Sequence, residues 1–184
     1  LSIILTGAAL IREREHGTIE HLLAMPLKPA EIMLAKVWAN GLVIVVAAYL
    51  SLQFVAKGWL DLPVAGSTTL FVAGIVVYLF STTAMGIFLG TLARTMPQFA
   101  LLAVPVFIVM NLLSGGITPL ENMPLPVQAV MMISPSTYFV NYSQSVLYRS
   151  AGLDVVWRDL LACALIGILY FSSALLRFRK ALGQ

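Results

Sequence analysis

The acidic residues and histidines near the start of the chain are the groups whose types and spacing could support metal chemistry. Glu13 and His16 are three positions apart, which is half of a helical di-iron motif, and His16 and Glu20 are four apart. The chain has two histidines, fewer than most catalytic metal sites need, and Gly17 lies between the candidate ligands. We interpret these groups as solvated charges and predict neither a metal site nor a cofactor.

Other catalytic constellations are missing from the sequence. No arrangement of Ser, His and Asp or of Cys and His suggests hydrolysis, and no G-x-x-x-x-G-K-[ST] loop could cradle nucleotide phosphates. The single cysteine, Cys163, excludes a disulfide within the chain. We therefore predict no catalytic residues.

The composition is that of a membrane protein. Of the 184 residues, 60% are hydrophobic and 10% are charged, whereas a soluble domain carries about 25% charged residues. Long runs of the sequence contain no charge at all. A small soluble domain could not bury so many wholly apolar helices. The net charge of +3 does not indicate nucleic acid, because the basic residues form no stripe and have few aromatic neighbours.

The uncharged runs predict an all-α integral membrane fold, with residues 1–184 forming one transmembrane domain. We expect about four full spans, at 37–56, 70–93, 99–114 and 160–176. The apolar stretch 1–11 would reach only about 16 Å as a helix, against a hydrocarbon core of about 30 Å. Because the chain also starts with Leu1, we interpret it as a C-terminal fragment that begins with the inner end of a truncated span.

Segment 115–159 differs from the spans because four prolines divide it into short pieces. Two of these pieces, 127–133 and 137–148, could be helical, and both are too short to cross a membrane. We expect them to lie on the external surface or to dip into it as re-entrant helices.

The positions of the basic residues predict the orientation. If segment 12–33 is cytoplasmic, eight basic residues lie inside and three outside, as the positive-inside rule requires. The inner set is Arg12, Arg14, Lys28, Lys36, Arg94, Arg177, Arg179 and Lys180, and the outer set is Lys57, Arg149 and Arg158. The C-terminus is then cytoplasmic.

Polar and small residues within the spans are candidates for function or packing. Ser81, Thr82, Asn111 and Ser114 could line a path for a substrate, although hydroxyls in helices often bond to their own backbone instead. The Gly86-x-x-x-Gly90 pattern could let two helices approach closely, either within one subunit or between two.

The residue pattern of segment 12–33 predicts a short helix between two spans. Gly17 can end the first helix and Thr18 can cap a new one. Apolar residues then follow helical spacing up to a proline, namely Ile19, Leu22, Leu23 and Pro26. Such an amphipathic helix could lie on the membrane surface, or it could dock on a cytoplasmic partner that drives it.

Two motifs resemble those of ABC type-2 exporter permeases, in particular bacterial inner-membrane permeases with a large external domain. The first is Glu13-Arg14-Glu15-x-Gly17-Thr18-x-Glu20-x-Leu22-Leu23-x-x-Pro26, followed by Glu31 and Ala35-Lys36. The second comprises Ser114-Gly115-Gly116, Pro119, Met123-Pro124 and Pro135-x-Thr137-Tyr138, which resemble the outer segment between the last two spans of that family.

The resemblance implies a multi-pass permease in the bacterial inner membrane, paired with a second permease that is identical or paralogous. A separate ABC ATPase would bind the coupling segment, for which we select Glu13, Glu15, Gly17, Thr18, Ile19, Glu20, Leu22, Leu23 and Pro26. A periplasmic adaptor protein is left open as a further partner. The alternatives are a membrane-embedded enzyme, which should place catalytic pairs at membrane depth, and a scaffold that does not transport.

Overall fold

The computed structural model describes residues 2–15, 29–59, 66–116 and 122–181. Every regular element in these ranges is helical, which confirms the predicted all-α fold. In chain order the helices are α1 (Ser2–Glu15), α2 (Pro29–Leu50), a π-helical continuation (Ser51–Trp59), α3 (Thr68–Leu92), α4 (Met96–Leu112), α5 (Leu125–Met131), α6 (Pro135–Arg149) and α7 (Leu153–Ala181).

Helix α3 is the centre of the bundle. It packs against α1, α2, α4, α6 and α7. In its most apolar stretch 56% is buried, compared with 12% for the span that begins in α2 and 17% for α7. A helix that is covered on several sides needs apolar residues all round, which the uncharged α3 sequence provides. The Ser67 side chain caps its start by accepting a hydrogen bond from the Leu70 N–H at 3.4 Å.

Three helical stretches in the described ranges are long and apolar enough to cross a membrane, namely Met33–Val55, Thr68–Leu92 and Leu153–Arg177. Helix α4, which corresponds to the expected span 99–114, has 17 residues and contains Pro105. Its length of about 26 Å is slightly less than the hydrocarbon thickness of about 30 Å.

Two helices extend beyond the predicted spans. The helical stretch of α2 continues to Trp59, past residue 56, where the predicted span ends. Helix α7 begins at Leu153 rather than 160, because the charges at Asp154, Arg158 and Asp159 do not interrupt a helix. Charge marks the edge of the apolar region, whereas a helix can continue past that edge.

The two short helices predicted between the last spans are confirmed as α5 and α6, and each of their four ends differs from the predicted end by one or two residues. Both carry proline in the first turn, where the missing N–H costs no helical hydrogen bond.

Among the described residues, three buried clusters hold the helices together. The first joins α1, α3 and α4 through Ile3, Ile11, Met85, Leu89, Ala93, Phe99, Ala103 and Met110. The second joins α1, α2, α3 and α7 through Leu10, Met33, Val37, Ile87 and Ala174. The third joins α6 and α7 through Tyr142, Val146 and Val156.

Candidate functional site

A cavity of about 210 Å³ lies where α1, α2, α3, α4 and α6 meet. Its polar lining consists of Ser2, Tyr78, Thr82, Asn111 and Ser136, and the rest of its wall is apolar. Among the described residues, no charged side chain lines the cavity. The lining can therefore form hydrogen bonds and apolar contacts with a guest molecule, but it offers no ion pair.

The hydroxyl groups around the cavity are paired with one another or with backbone. The Ser2 and Thr83 hydroxyl oxygens are 2.6 Å apart, and the Thr82 hydroxyl donates to the Tyr78 carbonyl oxygen at 3.0 Å. Asn111 donates through Nδ2 to the Phe107 carbonyl oxygen at 2.8 Å. Because Asn111 is exposed and an amide has a second N–H and an acceptor oxygen, it can also bind water or a substrate.

The four predicted path residues are placed differently. Thr82 and Asn111 both line the cavity. The Ser81 hydroxyl is buried between α3 and α7, at 2.7 Å from the Cys163 carbonyl oxygen and 3.0 Å from that of Val77. Ser114 follows α4, is buried, and donates to the Asn111 carbonyl oxygen at 3.4 Å.

Three polar lining residues were not among the predicted ones: Ser2, Tyr78 and Ser136. Tyr78 precedes Thr82 by four positions and therefore shares its helix face, a spacing that could have identified it. Ser136 reaches the cavity because α6 folds back against α3, which no local pattern indicates.

Aromatic contacts hold α6 against α3 beside the cavity. The rings of Tyr78 and Phe139 are stacked at a centroid distance of 4.2 Å. The Tyr142 hydroxyl donates to the Leu70 carbonyl oxygen at 2.5 Å, and the Tyr142 ring covers Gly74, where a Cβ would clash. Burial raises the pKa of Tyr142, which favours the protonated phenol that this hydrogen bond requires.

The Gly86 and Gly90 pair lets α3 approach α1 of the same chain. A Cβ added at Gly86 would lie 2.5 Å from the Ile3 carbonyl oxygen, and one at Gly90 would lie 3.4 Å from the Gly7 carbonyl oxygen. Of the two alternatives for this pattern, the structure has the contact within one subunit.

The predicted coupling segment is described only at its start. Glu13 and Glu15 lie in the last turn of α1, whereas Gly17, Thr18, Ile19, Glu20, Leu22, Leu23 and Pro26 lie outside the described residues. The Glu15 carboxylate accepts a hydrogen bond from the Met96 N–H at 2.9 Å. The end of α1 and the α3–α4 turn are therefore at the same end of the bundle.

The sequence matches the family model described as ABC-2 type transporter over residues 1–148. The chain belongs to this family. The resemblance predicted from the two motifs is thereby confirmed.

Curated relatives carry permease names. The inner membrane transport permease YhhJ of Escherichia coli (strain K12) is 53% identical over 183 residues, which is 100% of this chain and 49% of that protein. The probable multidrug ABC transporter permease YbhR of the same organism is 33% identical over 181 residues, which is 97% of this chain and 48% of that protein. The chain thus spans about half the length of the curated relatives it matches.

Proposed function

We propose that the chain forms part of the translocation path in the permease subunit of an ATP-driven exporter. The observation that carries this proposal is the polar cavity, which lies inside an otherwise apolar helix bundle of an ABC-2 type chain. Hydroxyl and amide groups at membrane depth are costly unless they serve packing or passage, and the exposed amide of Asn111 favours passage.

A separate ABC ATPase is the proposed source of energy. The coupling helix, at about residues 17–26 of segment 12–33, would dock on it, with Ile19, Leu22 and Leu23 as apolar anchors and Glu20 at a polar rim, since bound amphipathic helices concentrate their affinity in a few anchors. Glu13 and Glu15 would lie where this segment joins α1.

A second permease subunit, identical or paralogous, is the proposed neighbour of α4. This helix has three buried residues, and its exposed apolar side chains include Leu101 and Leu112. Lipid or another subunit must cover such a surface. A periplasmic adaptor would be a further partner on the opposite side of the membrane.

The proposed location is the bacterial inner membrane, with the C-terminus in the cytoplasm. The hydrogen bond between Glu15 and Met96 supports this orientation because it brings together the chain segments of Arg12 and Arg94, which the basic-residue bias assigns to the same side.

The test uses the full-length protein co-expressed with its ABC ATPase. Leu22→Asp would place an unpaired charge in the docking contact, at a cost on the order of several kcal/mol, whereas Leu22→Met keeps an apolar anchor of similar volume. We expect normal membrane insertion for both variants, with loss of ATPase co-purification and of transport-stimulated ATP hydrolysis only for Leu22→Asp. A wild-type protein that retains no ATPase would contradict the proposed function, and an unaffected Leu22→Asp would contradict the coupling role.

A further inference from the structure

The N-terminus of α4 lacks a cap from its own segment. Thr95 occupies the N-cap position but makes no side-chain capping bond, and Pro97 in the first turn has no N–H. The Gln98 side chain is directed to the preceding turn, where Oε1 accepts the Arg94 N–H at 2.9 Å. The Met96 N–H, at the first helical position, would be left without a partner from the turn itself.

Glu15 supplies that partner from another helix. Its Oε1 accepts the Met96 N–H at 2.9 Å, although the two residues are 81 positions apart. A carboxylate at this place forms a charge-assisted hydrogen bond and also lies at the positive end of the α4 dipole. Glu15 therefore acts on α4 as a capping residue would, but from the last turn of α1.

We propose that Glu15 is a positioning residue that ties the start of α4 to the end of α1, so that both helices move as one body when the segment after α1 is displaced. This inference rests on the proposed function, because the displacement comes from the ATPase. It assigns Glu15 to a contact inside the permease, whereas the sequence placed it in the ATPase-binding set.

A second contact between the same helices supports this pairing. The Phe99 ring of α4 lies against Gly7 of α1, where a Cβ would clash with the ring. Ile3, Ile11 and Phe99 also belong to one buried cluster. Packing holds α1 and α4 side by side along their length, and the Glu15 bond fixes their ends.

Helix α4 connects this contact to the cavity. Phe107, Met110 and Asn111 of α4 line the cavity wall, and Phe107 is about 16 Å along the helix from Met96. A displacement that enters at Glu15 would therefore reach the cavity through a single helix.

Four variants separate the hydrogen bond from other roles of these side chains. Glu15→Ala removes the acceptor, and Glu15→Gln keeps an acceptor oxygen without the charge. Met96→Pro removes the donor, and proline suits this position because it is the first residue of α4 and follows the extended Thr95. Met96→Ala keeps the N–H and removes only the side chain, so it is the matched control.

The measurement is a spin-label distance between α1 and α4 in the full-length permease reconstituted with its ATPase. The labels are attached at Leu5→Cys in α1 and Leu101→Cys in α4, which are both exposed positions. Each complex carries one labelled subunit, so that the measured distance lies within that subunit. The distance is measured without nucleotide and again after trapping with ATP and vanadate. In the wild type, Glu15→Gln and Met96→Ala, we expect trapping to leave the mean distance between the labels unchanged. In Glu15→Ala and in Met96→Pro, trapping should change the distance by about 2 Å or more. The double variant Glu15→Ala with Met96→Pro should show no larger change, because both substitutions remove the same hydrogen bond.

Two results would overturn the role of Glu15 without touching the proposed function. In the first, trapping leaves the label distance in Glu15→Ala unchanged, as in the wild type. In the second, trapping changes the wild-type distance as much as that of Glu15→Ala. If the distance change in the double variant equalled the sum of the changes in the single variants, the two residues would act independently, which also contradicts the inference. A wild-type complex that neither hydrolyses ATP nor traps vanadate would instead contradict the proposed function.

Discussion

The hydroxyl oxygens of Tyr78 and Ser136 lie 3.1 Å apart, which joins the middle of α3 to the first turn of α6. Both residues line the polar cavity, so this contact forms part of its wall. The Tyr78 ring is also stacked on Phe139, one turn further along α6. Helix α6 is thus held against α3 by a hydrogen bond and by an aromatic contact that involve the same tyrosine.

Substitution of Tyr78 can separate these two contributions. Tyr78→Phe keeps the stacked ring and removes the hydroxyl, and we expect it to lower stability by about 1 kcal/mol. Tyr78→Leu removes the ring as well and should cost roughly 2–3 kcal/mol. Thermal unfolding of the full-length protein in detergent measures both effects. Equal losses in the two variants would show that the ring contributes nothing beyond the hydroxyl.

The close approach of α1 and α3 predicts a strong effect at Gly86. A Cβ there would lie 2.5 Å from the Ile3 carbonyl oxygen and 2.9 Å from its Cα, so backbone would have to move. We expect Gly86→Ala to destabilise the protein by about 1–3 kcal/mol. Gly41→Ala is the matched control, because nothing lies within 4 Å of a Cβ at Gly41. It should stabilise its helix by roughly 0.5–1 kcal/mol. The same unfolding assay compares the two, and a neutral Gly86→Ala would contradict the tight packing.

Local patterns predicted the helices well where apolar runs and turn residues agree. The expected span 70–93 corresponds to α3, Thr68–Leu92, because Ser67 caps its start and Pro97 follows the turn after its end. The predicted span 160–176 lies inside α7, which starts earlier, at Leu153, because a charge ends the apolar surface without ending the helix. The sequence located the elements but not every boundary.

The candidate site was less predictable because the hydroxyl residues Ser81, Thr82 and Thr83 of α3 are consecutive and therefore mark no single face. Ser81 and Thr82 are adjacent, yet one hydroxyl bonds to α7 and the other side chain lines the cavity. Residues one position apart on a helix point about 100° apart, and only the packing of neighbouring helices decides which one meets the cavity. The contact between Glu15 and Met96 likewise depends on tertiary structure and has no local signal.

The cavity can be tested without a known substrate by comparing an exposed residue of its wall with a buried one nearby. Asn111→Cys should react with a small water-soluble thiol reagent in membranes, because Asn111 is exposed and lines the cavity. Ser81→Cys should react roughly tenfold more slowly, since Ser81 is fully buried between α3 and α7. Mass spectrometry of the full-length protein measures the modification rates. Similar rates at Ser81 and Asn111 would argue against a water-accessible path at this site.

The orientation of the bundle gives the last prediction. Thr95 and Asp154 are both exposed and lie on either side of the proposed membrane, at the α3–α4 turn and at the start of α7. The native Cys163 is 3% exposed and should not react, so it can be retained while any other cysteines of the full-length protein are replaced. In intact cells we expect an impermeant thiol reagent to label Asp154→Cys and to leave Thr95→Cys unlabelled. Permeabilisation should then expose Thr95→Cys, because the basic-residue bias places that turn in the cytoplasm. The reverse pattern would overturn the orientation, and with it the placement of segment 12–33 on the side where an ATPase could bind it.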